Sequence, residues 1–495
     1  MRWLASPVEE ISQRAMTEHP SLSDSKRKLL DAFLRRSLSQ PVAPPIARRR
    51  AGEPIPLALS QEEVVLHSDR LKDAPALYNE SFTIHRSGPL DLRLLEQCLI
   101  AILRRHEIWR TSYAFRDGTP EQIVQIVQPV PDAFQIPFLD LRSLSRTARD
   151  QAAVLLASED AARPFDLRSG PLVRLLVFQM DEHQFRLYFT VHQSLVDGLS
   201  VFRIFPAELT AMYEALAAGE SCALRELPVQ FGDYAVWQRG SLSAELLGNQ
   251  LAYWRKQLAG NLPVLDWPAG QARPPRESHR GLLHSFLFPA QLRDSLQTLV
   301  RGENATLFTI LLAGFSALIH LDTDQHDIIL GTLSPAGRKH SEVQGLLGYF
   351  LNPVALRLQL KPDGTFRDLL HQAMQVTSDA ISNDDVTLQQ ISKELGIPPD
   401  PSRSPLFQHA ISLAPDVAEL PPGWKQTYMD VDSGGARWDL YVEFSGRPNG
   451  IAGRAQYNPD VMDLDFIEKM VADLERLLTR ACKHPESPLK DLRQP

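Results

Sequence analysis

A chain of 495 residues exceeds the usual limit for a single hydrophobic core, so we expect two or more domains. Apolar residues make up 43% of the chain and charged residues 23%, the balance of an ordinary soluble globular protein. The formal net charge is −8, from 60 acidic and 52 basic residues, and this balance disfavours broad nucleic-acid binding.

The cysteines and the N-terminus predict a cytoplasmic location. Cys98, Cys222 and Cys482 lie far apart, so they form no short-spaced metal-binding pair and are interpreted as reduced thiols of a cytosolic protein. No uninterrupted apolar run is as long as a membrane span. Residues 1–20 contain acidic side chains and lack an apolar signal core, so we expect neither secretion nor membrane insertion.

The first 55 residues differ in pattern from the rest of the chain. The stretch LSDSKRKLLDAFLRRSL, residues 22–38, predicts a short amphipathic helix behind a Ser/Asp cap. The following SQPVAPPIARRRAGEPIP, residues 39–56, is rich in Pro and Arg and predicts a linker without regular structure. Its three consecutive arginines are interpreted as a solvated charge run rather than a binding element.

From Leu57 onward helical and strand patterns alternate. Residues 95–113 predict an amphipathic helix that gives way to a strand near Trp109. Residues 171–192 predict a hairpin of two strands with its turn at Asp181-Glu182. A helix is expected over 200–219, ending at a glycine.

A second unit is expected after residue 286. Helices are predicted over 290–302, 306–321 and 466–482, and strands over 327–334 and 351–360. Strands mixed irregularly with helices predict an α+β fold rather than repeated β-α-β units. We find no convincing internal sequence repeat.

The stretch LYFTVHQSLVDGLSVF, residues 187–202, has the spacing of an acyl-transfer site. His192 and Gln193 are predicted to end a strand, and Asp197-Gly198 to begin the helix behind it, with a tight loop between them. Two other interpretations stay open from spacing alone: Asp197 caps that helix, and His192 is a packed, hydrogen-bonded side chain.

Further blocks surround this motif in a fixed order. They are LALSQEEVV (57–65), RRHEIWRTSY (104–113), FGDYAVWQ (231–238), SPAGRKHSEVQGLLGYFLNPVALR (334–357), SRSPLFQ (402–408), RWDLYVEF (437–444) and AQYNPDVMD (455–463). With HQSLVDG (192–198) standing for a His-His-x-x-x-Asp-Gly core motif, the chain resembles a condensation domain of nonribosomal peptide synthetases, in the chloramphenicol acetyltransferase-like superfamily. The resemblance covers roughly residues 55–492, and NDDVTLQQ (383–390) is a poorer match.

The resemblance implies two lobes in a V shape around a central substrate tunnel, here residues 56–228 and 229–495, after a segment 1–55 of helix and linker. Donor and acceptor carrier proteins would present substrates on phosphopantetheine, with no cofactor bound by the chain itself. An amine would attack a thioester carbonyl to form an amide. The second position of the core motif, here Gln193, would be the catalytic or positioning residue.

The resemblance also implies roles for the other residues of the motif. His192 would point away from the tunnel and support the fold. Asp197 would be mainly structural and would pair with Arg338 of the other lobe. The helix start and the backbone of Gly198 would help stabilise a developing oxyanion.

The chain departs from the family pattern at Gln193, where a histidine is expected. An amide side chain can donate or accept a hydrogen bond but cannot take a proton. A positioned general base contributes about 10²- to 10⁴-fold in rate, roughly 3–5 kcal/mol. Holding two tethered substrates in register contributes roughly 7–11 kcal/mol, so an amine nucleophile could still react, whereas a hydroxyl would need the base far more.

Other functions find little support. The His-Glu pair of RRHEIWR lacks the second histidine of a zinc motif and is interpreted as a salt-bridged helix end, so no metal is expected. The sequence contains no phosphate-binding glycine loop, and the core motif differs from that of the heterocyclisation subclass, which has Asp in place of His192.

Three hypotheses therefore stay open. The chain is a working condensation domain that joins a carrier-bound acyl donor to an amine acceptor. Or it is an inactive condensation-like domain that docks carrier proteins or recruits a partner enzyme. Or it is a free-standing acyltransferase to a soluble amine. Carrier and adenylation domains are not recognisable in the sequence, so we expect either action on separate carriers and beside other synthetase modules, or excision from a longer synthetase.

Overall fold

The computed structural model describes residues 45–71, 76–115, 123–265, 267, 273–428 and 431–493. The chain divides into two compact units, residues 1–46 and 47–495. The predicted helix over 22–38 and the first residues of the predicted linker lie outside the described residues. The predicted lobe boundaries at residues 55 and 228 stay predictions.

The predicted linker is more ordered than expected around Arg49. The Arg49 guanidinium binds the carboxylates of Asp233 at 2.8 Å and Glu107 at 2.6 Å, so its interpretation as part of a solvated charge run is wrong. The neighbouring arginines, Arg48 and Arg50, are exposed. Spacing along one segment could not reveal carboxylates that are brought to Arg49 from far along the chain.

Five of the described α-helices lie over segments where the sequence predicted a helix. The helix α2 begins behind Asp91, whose side chain accepts from the backbone N–H groups of Arg93 and Leu94, and it buries one apolar stripe. The helices are α1 (Leu59–Arg70), α2 (Leu92–Arg105), α3 (Arg146–Ala161), α4 (Phe205–Ala217), α5 (Phe231–Ser241), α6 (Ala244–Gln257), α7 (Ala290–Glu303), α8 (Leu307–Thr323), α9 (Phe366–Ile381), α10 (Leu388–Glu394) and α11 (Leu464–Lys483).

The strands form three sheets among the described residues. They are β1 (Ile55–Pro56), β2 (Asn79–Ser87), β3 (Thr111–Phe115), β4 (Ile123–Val127), β5 (Phe138–Asp140), β6 (Val173–Asp181), β7 (Gln184–His192), β8 (Leu282–Pro289), β9 (Asp327–Ser334), β10 (Asn352–Gln359), β11 (His409–Leu413), β12 (Trp424–Tyr428), β13 (Leu440–Arg447) and β14 (Gly450–Tyr457). The sheet orders are β1-β4-β3, β12-β2-β7-β6-β5 and β10-β9-β11-β13-β14-β8. The predicted α+β class is confirmed.

The second half of the chain contributes one strand to the sheet that the first half builds. Strand β12 comes late in the chain, yet it pairs antiparallel with β2 at the edge of the sheet built from the first half. In that sheet the β6–β7 hairpin is confirmed, but Asp181 still pairs with Gln184, so the turn is Glu182-His183, one residue later than predicted. The second half has its own large core, which includes α8, β9 and β10 as predicted.

The predicted helix over 200–219 is divided in two. Residues Ser200–Ile204 form a π-helical turn, and α4 follows from Phe205. Pro206 has no N–H to donate to the Phe202 carbonyl one turn earlier, so regular α-helix cannot run through this point. The Phe202 carbonyl instead accepts from the N–H of Ala418 at 2.9 Å. Because Pro206 cannot donate to it, the Phe202 carbonyl is available for a hydrogen bond between the motif helix and the second half of the chain.

Of the helices described, none is both long and apolar enough to cross a membrane by itself. Helices α7 and α8 meet that test only as a pair bent by 106°.

Candidate active site

The core motif lies where β7 ends. His192 is the last residue of β7, and Gln193–Leu195 form one tight 3-10 turn. The helical segment behind the turn begins at Gly198. The predicted order of strand, tight loop and helix is therefore present at this point of the sheet.

Asp197 both caps the helix and pairs with Arg338. Its Oδ1 accepts from the backbone N–H and the hydroxyl of Ser200, each at 2.8 Å. The guanidinium of Arg338 donates to Oδ2 at 2.7 Å and to Oδ1 at 2.8 Å. The structure thus brings together the two residues that the resemblance pairs, and the capping interpretation holds alongside it.

The rest of the Arg338 side chain is also satisfied. Its Nη1 donates to the carbonyls of Val343 at 2.6 Å and Leu346 at 2.9 Å, and its guanidinium lies 4.0 Å from the ring centre of Phe350. Only 6% of the Arg338 side chain and 1% of the Asp197 side chain are exposed. A buried ion pair needs this many partners because both charges have lost their hydration.

His192 is held as a neutral side chain. The backbone N–H of Ser194 can only donate, and it lies 3.3 Å from Nδ1, so Nδ1 is an acceptor and the ring proton is on Nε2. Ser194 Oγ lies 2.8 Å from the same Nδ1 and accepts from the Tyr113 hydroxyl, while Nε2 faces Ser68 Oγ at 3.1 Å. Burial lowers the pKa of His192 to about 3. A ring held neutral in this way is a poor proton acceptor near neutral pH.

Gln193 and His192 line different cavities. Gln193 lines a cavity of about 80 Å³ together with Gly198, whereas His192 lines one of about 420 Å³ together with Ser68. Successive side chains at the end of a strand point to opposite faces, which accounts for the separation. The Gln193 backbone N–H is fixed by the Tyr78 carbonyl at 2.7 Å, so the side chain is presented from a rigid turn.

Gly198 lies where the two halves of the chain approach closely. A Cβ atom at this position would be 3.0 Å from the ring of Pro415, a distance that real Cβ atoms rarely show. As the first residue of a helical segment, Gly198 also has a backbone N–H for which the helix itself provides no acceptor. Both properties suit a backbone donor at the wall of the Gln193 cavity.

The cavity wall contains charged residues that sequence reasoning missed. They are Glu80, Asp432, Arg437, Glu443 and Arg454. Burial raises the pKa of the Glu443 carboxyl and of the Asp432 carboxyl. A glutamate inside the apolar strand segment LYVEF was the available signal, since an ionisable residue in a buried strand needs a partner or a function.

The His-Glu pair of RRHEIWR has a structural environment. His106 Nε2 lies 2.8 Å from a carboxylate oxygen of Glu208, and its Nδ1 accepts from the N–H of Leu347 at 3.3 Å. Arg105 binds the other oxygen of Glu208 at 2.9 Å. These contacts fit the salt-bridged helix end that the sequence suggested.

Elsewhere, three side chains among the described residues could together hold a metal ion. The ligand atoms of His320, Asp324 and His326 lie within 4.8 Å of one another. The Asp324 side chain is 97% exposed, and these residues are not among those that line the Gln193 cavity. We assign this group no role in the chemistry of the motif.

Comparison with known proteins gives one family over most of the chain. The condensation domain model matches residues 52–494. A linear gramicidin synthase protein of Brevibacillus parabrevis is 34% identical over 481 residues, which cover 96% of this chain and 9% of that protein. The chain therefore spans less than a tenth of that relative's length.

Solved structures share the fold. The X-domain in its complex with OxyB from teicoplanin biosynthesis superposes with a TM-score of 0.77 at 24% identity, covering 92% of this chain and 99% of that one. The first condensation domain of the calcium-dependent antibiotic synthetase, in complex with a substrate analogue, gives a TM-score of 0.78 at 17% identity, covering 89% and 99%.

Proposed function

The chain belongs to the condensation domain family of nonribosomal peptide synthetases, and we propose that it forms an amide between a carrier-bound acyl donor and an amine acceptor, with Gln193 in place of the usual histidine. One observation supports this proposal above the others. The Asp197–Arg338 pair is fully hydrogen-bonded beneath a turn that presents Gln193 and Gly198 to one cavity. The turn therefore holds both groups in fixed positions at the wall of the same cavity.

In the proposed reaction the acceptor nitrogen attacks the thioester carbonyl of the donor. The carbonyl oxygen gains negative charge, and the N–H of Gly198 at the helix start is suited to stabilise it. The Gln193 amide oxygen accepts a hydrogen bond from the attacking nitrogen and orients it. The C–N bond forms, the C–S bond breaks, and the nitrogen loses a proton while the thiolate gains one. Positioning then supplies most of the acceleration.

The proposed partners are donor and acceptor carrier proteins that bear phosphopantetheine-linked substrates, within or beside other synthetase modules. A solved structure of a substrate analogue on a condensation domain of the same fold supports small-molecule access to such a site. The chain itself needs no bound cofactor for this chemistry.

Recruitment of a partner enzyme is the second candidate, and Gln193 is the observation that favours it. An X-domain of the same fold forms a complex with OxyB in teicoplanin biosynthesis. In this alternative no amide forms in the cavity, and the outer surface of the domain binds the partner enzyme.

The test is a reconstituted assay with loaded donor and acceptor carriers and mass-spectrometric detection of the condensed product. The proposal predicts product on the acceptor carrier with the wild-type chain. Absence of product together with measurable carrier or partner binding selects recruitment. Product formed from a soluble amine without an acceptor carrier selects the free-standing acyltransferase instead.

A further inference from the structure

Glu443 lies on the wall of the Gln193 cavity, in the middle of β13. Its cross-strand neighbour on β14 is Arg454. From the other half of the chain, Glu80 on β2 reaches the same guanidinium, and Glu80 pairs with Val191 two residues before Gln193. Glu443 is therefore linked to the motif by a short path of charged side chains across the cavity.

The contacts of Glu443 leave its charge only partly compensated. Arg454 Nε lies 3.2 Å from Glu443 Oε2, and Arg454 Nη2 lies 3.6 Å from a carboxylate oxygen of Glu80. The Tyr441 hydroxyl lies 3.3 Å from Glu443 Oε1 and 2.6 Å from the Ser412 hydroxyl. In this Glu80–Arg454–Glu443 cluster two carboxylates thus lie beside the same guanidinium.

The Oε2 atom of Glu443 is buried and, within the described part of the chain, has no hydrogen-bond donor in good geometry. A buried carboxylate oxygen without a donor costs free energy unless a ligand supplies one. The other cation on the wall, Arg437, lies 5.7 Å from the ring centre of Tyr78 and 4.8 Å from that of Trp438. Burial lowers the pKa of Arg437, but Tyr78, Tyr349 and then the carboxyl of Glu63 together raise it above its usual value.

We propose that Glu443 binds the ammonium group of the acceptor substrate and takes its proton, as the base that Gln193 cannot provide; this rests on the proposed amide-forming function. An ammonium group would donate to the buried Oε2 atom and pair with the Glu443 carboxylate. The substrate class is thus an acceptor with a free, basic amine.

The proton and electron pairs balance as follows. One proton moves from the ammonium to Glu443 and frees the nitrogen lone pair. The neutral amine attacks the thioester carbon, the C–S bond breaks, and the amide nitrogen loses a second proton. One of the two protons ends on the departing thiolate and the other goes to solvent, so Glu443 returns to its carboxylate form.

The groups around Glu443 favour this cycle near neutral pH. Burial raises its pKa, the Glu80 charge raises it further, and Arg454, Tyr441 and Ser412 lower it. Burial lowers the pKa of Arg447, at the end of the same strand, and the Glu443 charge partly offsets this effect. With a pKa above the ordinary glutamate range, the carboxylate is a better proton acceptor than an exposed one.

The test is the single-turnover amide-forming rate of wild type and Glu443→Gln, an isosteric change, as a function of pH. We expect a loss of about 100-fold at neutral pH, within the range that a positioned base contributes. The loss should shrink as the pH passes the pKa of the acceptor's own amine, about 8 for an α-amino group, because the amine then needs no base. A loss that is the same at every pH would indicate a structural role and overturn the proposal.

Two further variants sharpen the result. Glu80→Gln removes the other carboxylate beside Arg454, whose charge raises the pKa of Glu443, so it should cost far less than Glu443→Gln and shift the pH dependence towards lower pH. Gln193→His in the Glu443→Gln background supplies a new base and should recover at least about tenfold. Thermal unfolding of each variant checks that it is folded.

A binding measurement separates this inference from the proposed function. Calorimetric titration with an aminoacyl N-acetylcysteamine thioester should show affinity for wild type that falls at least about tenfold in Glu443→Gln. If wild type forms no amide but this difference in affinity persists, the role of Glu443 in binding the acceptor is supported and the proposed amide-forming function is wrong. Equal affinities for the two chains would overturn the role of Glu443 whatever the activity.

Discussion

His192 and Gln193 are adjacent in the chain but differ in every physical respect. His192 is buried, neutral and hydrogen-bonded through both ring nitrogens, whereas Gln193 is half-buried and faces the cavity with a side chain that cannot titrate. The side chains around His192 therefore make structural contacts, whereas Gln193 is the residue that we propose to orient the acceptor. We therefore expect substitutions on the His192 side of this turn, the supporting face, to change stability. Substitutions on the Gln193 side, the cavity face, should change the reaction rate instead.

The largest expected effect lies on the supporting face. Asp197→Asn leaves the buried Arg338 charge without its partner and should lower the free energy of unfolding by about 3–5 kcal/mol, measured by chemical denaturation. The matched control is Asp473→Asn on α11, whose partner Lys469 is exposed, and it should cost far less. Equal losses would mean that the pair does not stabilise the fold as its burial implies.

The second prediction concerns acid. Because the folded pKa of His192 is lowered to about 3, the unfolded chain binds the proton first. Its contribution to stability is therefore complete above the unfolded pKa near 6.5 and declines as the pH falls. At pH 5 it should be lower by about 2 kcal/mol than at pH 7.

His192→Asn should remove that part of the pH dependence. The pKa values of the half-buried His67 and the buried His409 are also lowered by burial, so the difference between variants, rather than the wild-type slope, measures His192. An unchanged slope in His192→Asn would contradict the assignment of a buried, neutral ring.

The third prediction concerns the cavity face. Gln193→His introduces a titratable ring at the reacting position and should raise the amide-forming rate by about tenfold, without changing the free energy of unfolding measurably. A single-turnover assay and a denaturation curve on the same preparation provide both readouts. A large loss of stability would show that position 193 belongs to the supporting face instead.

The same contrast explains what could be predicted from the sequence. Elements such as α8, β9 and β10 could be predicted from local apolar patterns. The contact between Arg338 and Asp197 could be predicted from the family motifs. The partners of Arg49 and the position of Glu443 beside Arg454 could not be predicted, because they depend on how distant segments meet. The break before Pro206 follows from the missing N–H of that residue and could have been predicted, whereas the hydrogen bond from Ala418 to the Phe202 carbonyl depends on a distant segment.

The central claim is that amide formation here does not require a titratable side chain at residue 193. The direct measurement compares single-turnover product formation by wild type and Gln193→Ala with both carriers loaded. We expect product from both chains, at rates within about tenfold of each other, since a lost hydrogen bond is worth about 1 kcal/mol. Product from Gln193→His alone, with none from the other two, would contradict the account.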